Sequence, residues 1–361
     1  MGRGQVIQGM QRINHLRQIL NKKNIDALLV TKGENIYYLS HFTGGSDARL
    51  LVDFQQCLLF TDARYLEQAR AECPGWIIIE EKPPGQEQLA QACSGISRLG
   101  VESHHITYQF YRQLCELLSA ELFPFDHIVE MLRVRKEDEE LTCLQESARI
   151  GDEVFDHLLT IIQPGASEVS LANQITNLLR EKGCSRESFD TIVLAGKHAA
   201  LPHGHPRPES LCSGDMLTMD FGGFFRYYSG DMTRTVAVKE ASQRLRDLYQ
   251  RVLEAQQTAL AAVKVGASCS KVDGAARDIL RKAGLDQYFQ HSTGHGLGLE
   301  VHEYPPVSQR SQAILQENMV ITIEPGIYIP GWGGIRIEDA VVVKSNGCQV
   351  LTHSNKDLLI V

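Results

Sequence analysis

The chain has 361 residues, of which 43% are apolar and 22% are charged, and its formal net charge at pH 7 is -8. This composition is typical of a globular protein with two domains, and it excludes a disordered or fibrous chain. The acidic balance argues against nucleic acid as a partner, because binding to phosphates depends on basic surface.

The N-terminal part alternates helices and strands. The run from Ile7 to Gly33 predicts an amphipathic helix and a short strand, DALLV, and two further apolar runs, LLVDF and CLLFT, lie between Leu50 and Thr61. Such alternation is typical of an α/β domain. No stretch has the roughly 20 apolar residues of a membrane helix or the pattern of a signal peptide. The nine cysteines are scattered without a CxxC pair, so we expect reduced thiols, no membrane partner and a cytoplasmic location.

A charged stretch, RVRKEDEEL, marks the expected domain boundary. It can be either a solvated linker or the first turn of a helix. The acids of its KEDEE segment, like Glu300 and Glu303 further along the chain, are expected to face solvent. We therefore predict one domain over residues 1–132 and a second over residues 133–361.

The second domain begins with two predicted helices, which end at Pro164 and Gly183. From Phe189 onward the apolar runs are short and strand-like, and helices return at about Ser242 to Val265 and at Lys271 to Lys282. The pattern predicts an α+β domain with a mostly antiparallel sheet flanked by helices.

Two acids lie on strand-like segments that a turn can bring together. In LTMDFGG the period of two puts Asp220 on the face opposite the apolar side chains, and in YYSGDMTRTVAV Asp231 shares a face with Thr233. A turn around Gly222 and Gly223 is expected to fold these segments into a hairpin and bring both carboxylates close. Like charges buried together are unfavourable by several kcal/mol unless a cation compensates them.

Two more acids lie in MVITIEPGIYI and GGIRIEDAVVV. Glu324 and Glu338 interrupt apolar runs rich in β-formers, where glutamate has little structural reason to occur. Between the two pairs of acids, HSTGHGLGLEVHE carries His291, His295 and His302 in a glycine-rich segment whose backbone can approach a bound group closely.

Together these four carboxylates and one imidazole predict a metal site. A donor set with mostly hard oxygen atoms suits Mn(II), Fe(II), Co(II) or Zn(II), and it has too many acids for one ion. Two divalent ions match the charge count and leave room for a bridging hydroxide, the nucleophile that two-metal hydrolases generate. Each of these residues, taken alone, also has an ordinary explanation. Asp220 can be a turn residue and His203 a loop residue, and Arg234 and Arg336 can pair with acids or face solvent. The conjunction of the five ligands favours the metal site.

The segments MDFGG, SGDMTRT, TGHGLGLEVHE, ITIEPGIYIPG and GGIRIED, in this order and spacing, resemble those of the pita-bread (M24) metallopeptidases, in the prolidase and aminopeptidase P branch. NIYYLSHFTG, LLFTDARYLEQA and RVRKEDEEL resemble the creatinase-type N-terminal domain of that branch. The resemblance implies a creatinase-type α/β domain followed by an α+β pita-bread catalytic domain with a curved, mostly antiparallel sheet flanked by helices.

The resemblance also implies a ligand set and a cofactor. The expected metal ligands are Asp220, Asp231, His295, Glu324 and Glu338. Asp231 and Glu338 are expected to bridge two divalent ions, most simply Mn(II), with Co(II), Zn(II) and Fe(II) as alternatives. Glu324 is also expected to act as general base toward the bridging water.

Five further residues are implied around these ligands. His203 and His302 are expected to contact the substrate near the scissile bond, and His302 is expected to stabilise the developing oxyanion. His291 is expected to shape the same pocket. Thr233 and Arg336 are expected to hold ligand carboxylates in place.

The activity implied is hydrolysis of the peptide bond before proline in Xaa-Pro dipeptides, with short proline-containing peptides as partners. The near alternative is an aminopeptidase P acting on longer Xaa-Pro peptides, and the short chain favours the dipeptidase. Two remote alternatives are a pita-bread protein that binds peptides without catalysis and a metal-free, creatinase-like amidinohydrolase, but the complete ligand set argues against both. The resemblance also implies a homodimer, in which His41 is a candidate contribution to the partner's site.

Overall fold

The computed structural model describes residues 3–82 and 86–361, and contacts divide the chain into unit 1, Met1–Arg133, and unit 2, Val134–Val361. The boundary expected between residues 132 and 133 stays a prediction, and this point of the chain lies in a short helix, Glu130–Arg133. Among the described residues, no helix combines the length and the apolar character needed to cross a membrane.

Unit 1 is built around a six-stranded mixed sheet. Its elements are α1 (Arg3–Lys23), β1 (Ala27–Val30), α2 (Gly33–Ser40), β2 (Ala48–Asp53), β3 (Cys57–Thr61), α3 (Leu66–Glu72), β4 (Ile77–Glu80), α4 (Glu87–Ala92), β5 (Arg98–Glu102), α5 (Tyr108–Leu117), β6 (Glu121–Phe125) and α6 (Glu130–Arg133). The strands lie in the order β4-β3-β2-β1-β5-β6, with β1–β5, β5–β6 and β3–β4 parallel. Helix α1 buries Ile13, Leu16 and Leu20, the spacing of one helical face. The predicted α/β architecture of this unit is confirmed.

Unit 2 combines two pairs of helices with antiparallel strands. Its elements are α7 (Asp138–Ile161), α8 (Glu168–Glu181), β7 (Ile192–Ala195), β8 (Met216–Phe221), β9 (Phe224–Phe225), β10 (Tyr228–Ser229), β11 (Met232–Ala237), α9 (Gln243–Ala262), α10 (Cys269–Lys282), β12 (Gly294–Gly296), β13 (Glu303–Val307), β14 (Val320–Ile323), β15 (Gly326–Ile329), β16 (Gly333–Arg336), β17 (Asp339–Lys344) and β18 (Gly347–Val350). The larger ladders are β11-β8-β7 and β13-β12-β14-β17-β18, and β9–β10 and β15–β16 form two-stranded pairs. The predicted α+β architecture, with antiparallel strands and flanking helices, is confirmed.

Two apolar clusters hold these layers together. Residues of α7 and α8 pack with Leu217, Met219 and Phe221 of β8, whereas residues of α9 and α10 pack with Ile321 of β14. Because side chains alternate along a strand, Asp220 lies on the face of β8 opposite its apolar cluster, as the periodicity predicts.

The acidic end of this charged stretch forms the start of helix α7, which begins at Asp138, while Arg133 is the last residue of α6. Glu137 caps the helix, and its backbone N–H donates to Glu140 Oε2 at 3.0 Å, which completes a capping box. Of the two alternatives left open by the sequence, this is the first turn of a helix.

The expectation of solvated acids is wrong at Glu140 and Glu303. Glu140 is buried and accepts a hydrogen bond from Tyr228 Oη at 3.2 Å. Glu303 pairs with Lys136 at 2.7 Å, and only 6% and 1% of these two side chains are exposed. Glu300 is half-buried. The partners come from distant parts of the chain, so local composition does not reveal the burial.

The predicted hairpin between Asp220 and Asp231 is also more elaborate than expected. Strands β8 and β11 do pair antiparallel, but the small β9–β10 hairpin stands between them in place of a tight turn at Gly222 and Gly223. The backbone that leaves β8 at Gly222 and Gly223 contacts the backbone that enters β11 at Gly230. A Cβ on Gly222 would lie 1.8 Å from the carbonyl oxygen of Gly230, so only glycine fits there.

Candidate metal centre

A cavity of about 380 Å³ in unit 2 gathers nearly all of the predicted site residues. Those that line it are Asp220, Asp231, His295, Glu324, Glu338, His203, His291, His302 and Arg336. Thr233 lies behind this lining and contacts two of its members. The structure therefore brings together residues separated by as much as 135 positions in the sequence, from His203 to Glu338.

The β8–β11 ladder positions the first two carboxylates. Asp220 pairs directly with Thr233 across the two strands, and Asp231 immediately precedes β11. Both aspartates are buried, at 9% and 6% exposure.

The β14–β17 ladder positions the two glutamates. Ile323 pairs with Asp339 at the end of this ladder, so Glu324, which follows Ile323, and Glu338, which precedes Asp339, face each other where the ladder stops. The backbone N–H of Glu338 donates to the carbonyl of Thr233 at 3.1 Å, which ties this end to the β8–β11 ladder.

Strand β12 carries the imidazole ligand between β13 and β14. A Cβ on Gly294 would lie 1.9 Å from the carbonyl oxygen of Thr322, so a glycine is needed for this close approach. The sequence predicted a close backbone approach in this segment, and here it is made to a neighbouring strand. The backbone N–H of His295 donates to Thr322 Oγ1 at 3.1 Å.

The contacts of His295 indicate which of its two ring nitrogens carries a proton and which one faces the carboxylates. Its Nδ1 lies 3.0 Å from the carbonyl oxygen of Gly296, which can only accept, so Nδ1 carries a proton. Its Nε2 faces the carboxylates, at 3.3 Å from Glu324 Oε1 and 3.5 Å from Asp231 Oδ2. One donor atom each from Asp231, His295 and Glu338 lie within 4.8 Å of one another, which is close enough to share an ion.

Thr233 and Arg336 hold two of the carboxylates through a chain of hydrogen bonds. Thr233 Oγ1 donates to Glu338 Oε2 at 2.7 Å and accepts from Arg336 Nε at 3.0 Å. Arg336 Nη2 in turn donates to Asp220 Oδ2 at 2.6 Å. These contacts fix the orientation of carboxylates that face the cavity.

Tyr328 completes this network, and sequence reasoning missed it. On the β15–β16 pair Gly326 is opposite Arg336, so Tyr328, two residues further on, is the diagonal neighbour of Arg336. Its hydroxyl accepts from Arg336 Nη1 at 2.6 Å and lies 2.9 Å from His291 Nε2. The available signal was alternation in GIYI, which separates Tyr328 from the isoleucines on either side.

The two ring nitrogens of His291 each have one partner, and these partners suit a neutral ring. Nδ1 lies 2.7 Å from the carbonyl oxygen of Ser292 and must donate to it, so in the neutral ring Nε2 is the nitrogen that accepts from the Tyr328 hydroxyl. Burial lowers the pKa of His291, with Arg336 adding to the effect, which agrees with this neutral form.

His302 and His203 lie at the open side of the cavity. The His302 ring is 4.4 Å from the His295 ring at a steep angle, and burial together with the charge on His295 lowers the pKa of His302. His203 is exposed, and His205 from the same LPHGHP loop also lines the cavity, although the sequence gave no reason to single it out.

The electrostatics of the cavity favour cations. Burial is the main reason that the pKa values of Asp220, Asp231 and Glu338 are raised, and neighbouring carboxylates add to it. Burial acts on Glu324 in the same sense, but the hydrogen bond from His295 and nearby positive charges outweigh it and lower its pKa to about 2. The pKa of His295 shifts in the opposite direction. Burial would lower it, but the hydrogen bond to Glu324 outweighs burial and raises the pKa to about 9.

The residues present fit divalent metal ions. Asp220 Oδ1 is buried with no hydrogen-bond partner, although the other oxygen of the same carboxylate is bound to Arg336. Four carboxylates and one imidazole nitrogen provide the mostly oxygen donors that Mn(II) and related ions take. Cations among them would stabilise the ionised carboxylates that burial otherwise disfavours.

Comparisons with known proteins match both parts of the chain to described families. Residues 142–345 match the family described as metallopeptidase family M24, and residues 12–135 match the creatinase/prolidase N-terminal domain. A relative from Pyrococcus horikoshii, an Xaa-Pro dipeptidase, is 33% identical over 97% of this chain and 99% of its own length.

Two solved structures are similar over nearly the whole chain. An Xaa-Pro dipeptidase from Bacillus anthracis has a TM-score of 0.95 and 39% identity, covering 98% of this chain and 100% of that one. An X-Pro aminopeptidase from Thermotoga maritima has a TM-score of 0.90 and 32% identity, covering 97% and 100%. This chain and its relatives therefore share both units, in the same order.

Proposed function

The chain belongs to metallopeptidase family M24, and from that membership we propose that it hydrolyses the peptide bond before proline in Xaa-Pro dipeptides. It is a metallopeptidase that depends on divalent metal ions. The observation that carries the proposal is the convergence of four buried carboxylates and His295 on one cavity, where Asp220 Oδ1 lacks any other partner.

The proposal assigns two divalent ions, in the first instance Mn(II), to Asp220, Asp231, His295, Glu324 and Glu338. Four ionised carboxylates balance the charge of two such ions. Asp231 and Glu338 would be the ligands shared by both ions. The proximity of their donor atoms to His295 supports this assignment.

The chain's own residues have separable roles in the reaction. When bound, the ions supply a water of lowered pKa and polarise the scissile carbonyl. Glu324, which is buried and has a low pKa in the folded chain, accepts the proton of the attacking water and delivers it to the proline nitrogen as the peptide bond breaks. His302, at the open side of the cavity, donates a hydrogen bond to the oxygen that gains charge.

His203, His291 and Arg336 position the substrate and the ligands. His203 lies at the exposed rim, where it can contact the residue on either side of the scissile bond. His291 and Arg336 share the Tyr328 hydroxyl, so the pocket wall and a ligand carboxylate are fixed by one hydrogen-bond network.

Release of proline from an Xaa-Pro dipeptide by the Mn(II)-loaded protein tests this function. Glu324→Gln should lower kcat by at least roughly 10²–10⁴-fold, because it removes the proposed general base and also the charge of one proposed metal ligand. Glu317→Gln, which changes an exposed glutamate seven positions earlier in the chain, should leave the rate unchanged. Activity that survives complete removal of metal by EDTA would contradict the mechanism.

Aminopeptidase action on longer Xaa-Pro peptides is the second candidate. It is supported by the similarity to the X-Pro aminopeptidase structure and by a cavity open on the side of His203 and His302. Comparison of kcat/KM for Ala-Pro and Ala-Pro-Ala separates the two activities. The dipeptidase proposal requires the higher value for Ala-Pro. A peptide-binding protein without catalysis and a metal-free amidinohydrolase have less support, because the ligand set is complete.

We also propose a homodimer that acts in the cytoplasm. The thiols of all nine cysteines are free, which favours a reducing compartment. His41, which is half-buried, remains the proposed contribution to a partner's site. Light scattering coupled to gel filtration should give twice the chain mass, and a single chain mass would contradict the dimer.

A further inference from the structure

A second group of metal-ligating side chains lies in unit 1, outside the cavity described above. Strands β5 and β6 are parallel and end together, with Glu102 opposite Phe125. Because the carboxyl ends of parallel strands meet at the same edge of a sheet, His104 and His127, each placed just beyond its strand, come side by side. Their ring centroids are 4.4 Å apart.

Glu130 adds a carboxylate to this pair. It begins helix α6, three residues after His127, and its Oε1 lies 2.8 Å from His104 Nε2. One donor atom from each of the three side chains lies within 4.8 Å of the others. Both histidines are exposed and Glu130 is half-buried, so an ion can reach the group directly from solvent.

The Glu130 carboxylate has unused capacity to bind a cation. Its Oε1 accepts from Asn35 Nδ2 at 2.7 Å and lies 3.3 Å from Lys32 Nζ, whereas its Oε2 is buried and has no hydrogen-bond partner in another residue. Burial would raise the pKa of Glu130, but the hydrogen bonds from Asn35 and from its own backbone N–H, together with the charges of Lys32 and His104, lower it to about 2. The carboxylate is therefore ionised at neutral pH, and its buried Oε2, which no other residue satisfies, would be stabilised by a cation.

We propose that His104, His127 and Glu130 bind one divalent transition-metal ion of the zinc type, with water in the remaining position. Two imidazole nitrogens and one carboxylate are the protein ligands of a common class of open zinc site. Two of these three donors are nitrogen, against one of five in the unit 2 cavity, so this site should prefer Zn(II) over Mn(II) more strongly. An ion here would link the segments that follow β5 and β6.

The positive charge of Lys32 opposes the binding of a cation. Removing this charge should therefore increase the affinity for Zn(II). Its ammonium group lies next to Glu130, where it competes with a cation for the same carboxylate. Replacing it by an uncharged side chain removes that competition. Lys32→Gln should therefore bind Zn(II) severalfold more tightly than the natural chain, and equal or weaker binding would count against the site.

The main experiment is Zn(II) content after equilibrium dialysis of the full chain at about 10 µM free Zn(II), a range suited to an open site with few ligands. The test variant carries His104→Gln and His127→Asn. Glutamine preserves a hydrogen bond to Glu130, and asparagine tolerates the positive φ of 55° at position 127, so the fold should persist. His105→Gln, in the adjacent exposed histidine, is the matched control.

The natural chain and the His105→Gln control should each hold one more Zn(II) per chain than the double variant. Zn(II) should also raise their thermal midpoint more than it raises that of the double variant. Equal Zn(II) content in all three proteins would overturn the proposal. Hydrolysis of an Xaa-Pro dipeptide with Mn(II) should be the same in all three, so a failure of this site is distinguishable from a failure of the proposed activity.

Discussion

Tyr328 shows how one hydroxyl couples two side chains of the cavity. It accepts from Arg336 and donates to His291, and Arg336 also holds Asp220. Tyr328 is buried, and burial is the main reason that the pKa of its hydroxyl is raised to about 12. It therefore stays protonated, and the neutral form of His291 is maintained at neutral pH.

Tyr328→Phe should lower kcat/KM for an Xaa-Pro dipeptide roughly tenfold, because two buried partners lose about 1–2 kcal/mol of hydrogen bonding in the site. Bound Mn(II) should stay the same, since no proposed ligand is changed. Tyr249→Phe is the matched control: that hydroxyl is also buried, and it donates to the carbonyl of Lys356 at 2.8 Å. A rate that falls equally in both variants, or in neither, would contradict a role for Tyr328 in the site.

At the level of single residues, the acids of the cavity were predictable from the sequence because they interrupt apolar strands. Aspartate and glutamate are uncommon in such strands. Asp220 and Glu338 stand out by that criterion. Glu140 and Glu303 do not, because each lies in a polar segment and is buried by a partner 88 or 167 positions away. Tyr328 was also missed, because a tyrosine in an apolar strand is most simply explained as a core residue until its neighbours are known.

Helix α10 positions the segment that leads to His295. Asp273 on this helix is buried, pairs with Arg277 at 2.7 Å, and accepts from both the N–H and the hydroxyl of Thr293. Arg277 in turn donates to the carbonyls of Phe289 and His291. The pair thus secures the chain on either side of His291 and just before β12.

Asp273→Ala should reduce the free energy of unfolding by about 3–5 kcal/mol, because it leaves a mostly buried guanidinium without its counterion. Asp278→Ala on the same helix removes the partner of Arg281 in an exposed pair, so it should cost only about 0–1 kcal/mol. Urea unfolding of both variants at neutral pH gives the comparison. Similar losses in the two proteins would mean that the buried pair does not hold this segment.

The helices and most strands of unit 2 were predictable from periodicity, and the connections between them were not. The predicted helices at Ser242 to Val265 and Lys271 to Lys282 correspond to Gln243–Ala262 and Cys269–Lys282. In place of the expected turn at Gly222 and Gly223, the chain forms an additional small hairpin. Gly222 is needed for its close contact with the backbone of Gly230 and does not form a tight turn. Such a contact depends on tertiary structure and leaves no local signal.

Metal binding should change how the stability of the whole chain depends on pH. Without metal, the folded-state pKa values of Asp220, Asp231 and Glu338 lie above their ordinary values of 3.8 and 4.5, so the folded chain holds more protons and loses stability as pH rises beyond that range. His295 acts in the same direction: its contribution is complete below 6.5 and is lost as pH rises through about 9. Glu324, lowered to about 2, matters only when pH falls below its ordinary value of 4.5.

The free energy of unfolding in EDTA should therefore fall between about pH 5 and pH 9, and it should fall less when Mn(II) is bound. Urea unfolding at a series of pH values, with and without Mn(II), measures both slopes. Identical slopes, or a chelated chain that gains stability toward pH 9, would show that the cavity carboxylates do not carry this linkage.

The central claim is that paired cations occupy the space among the four carboxylates and His295. An anomalous difference map from crystals of the Mn(II)-loaded protein, collected at the manganese edge, tests it most directly. We expect two peaks about 3.5–4 Å apart inside the cavity, bounded by Asp220, Asp231, His295, Glu324 and Glu338. An empty cavity, or manganese found only outside it, would contradict the account.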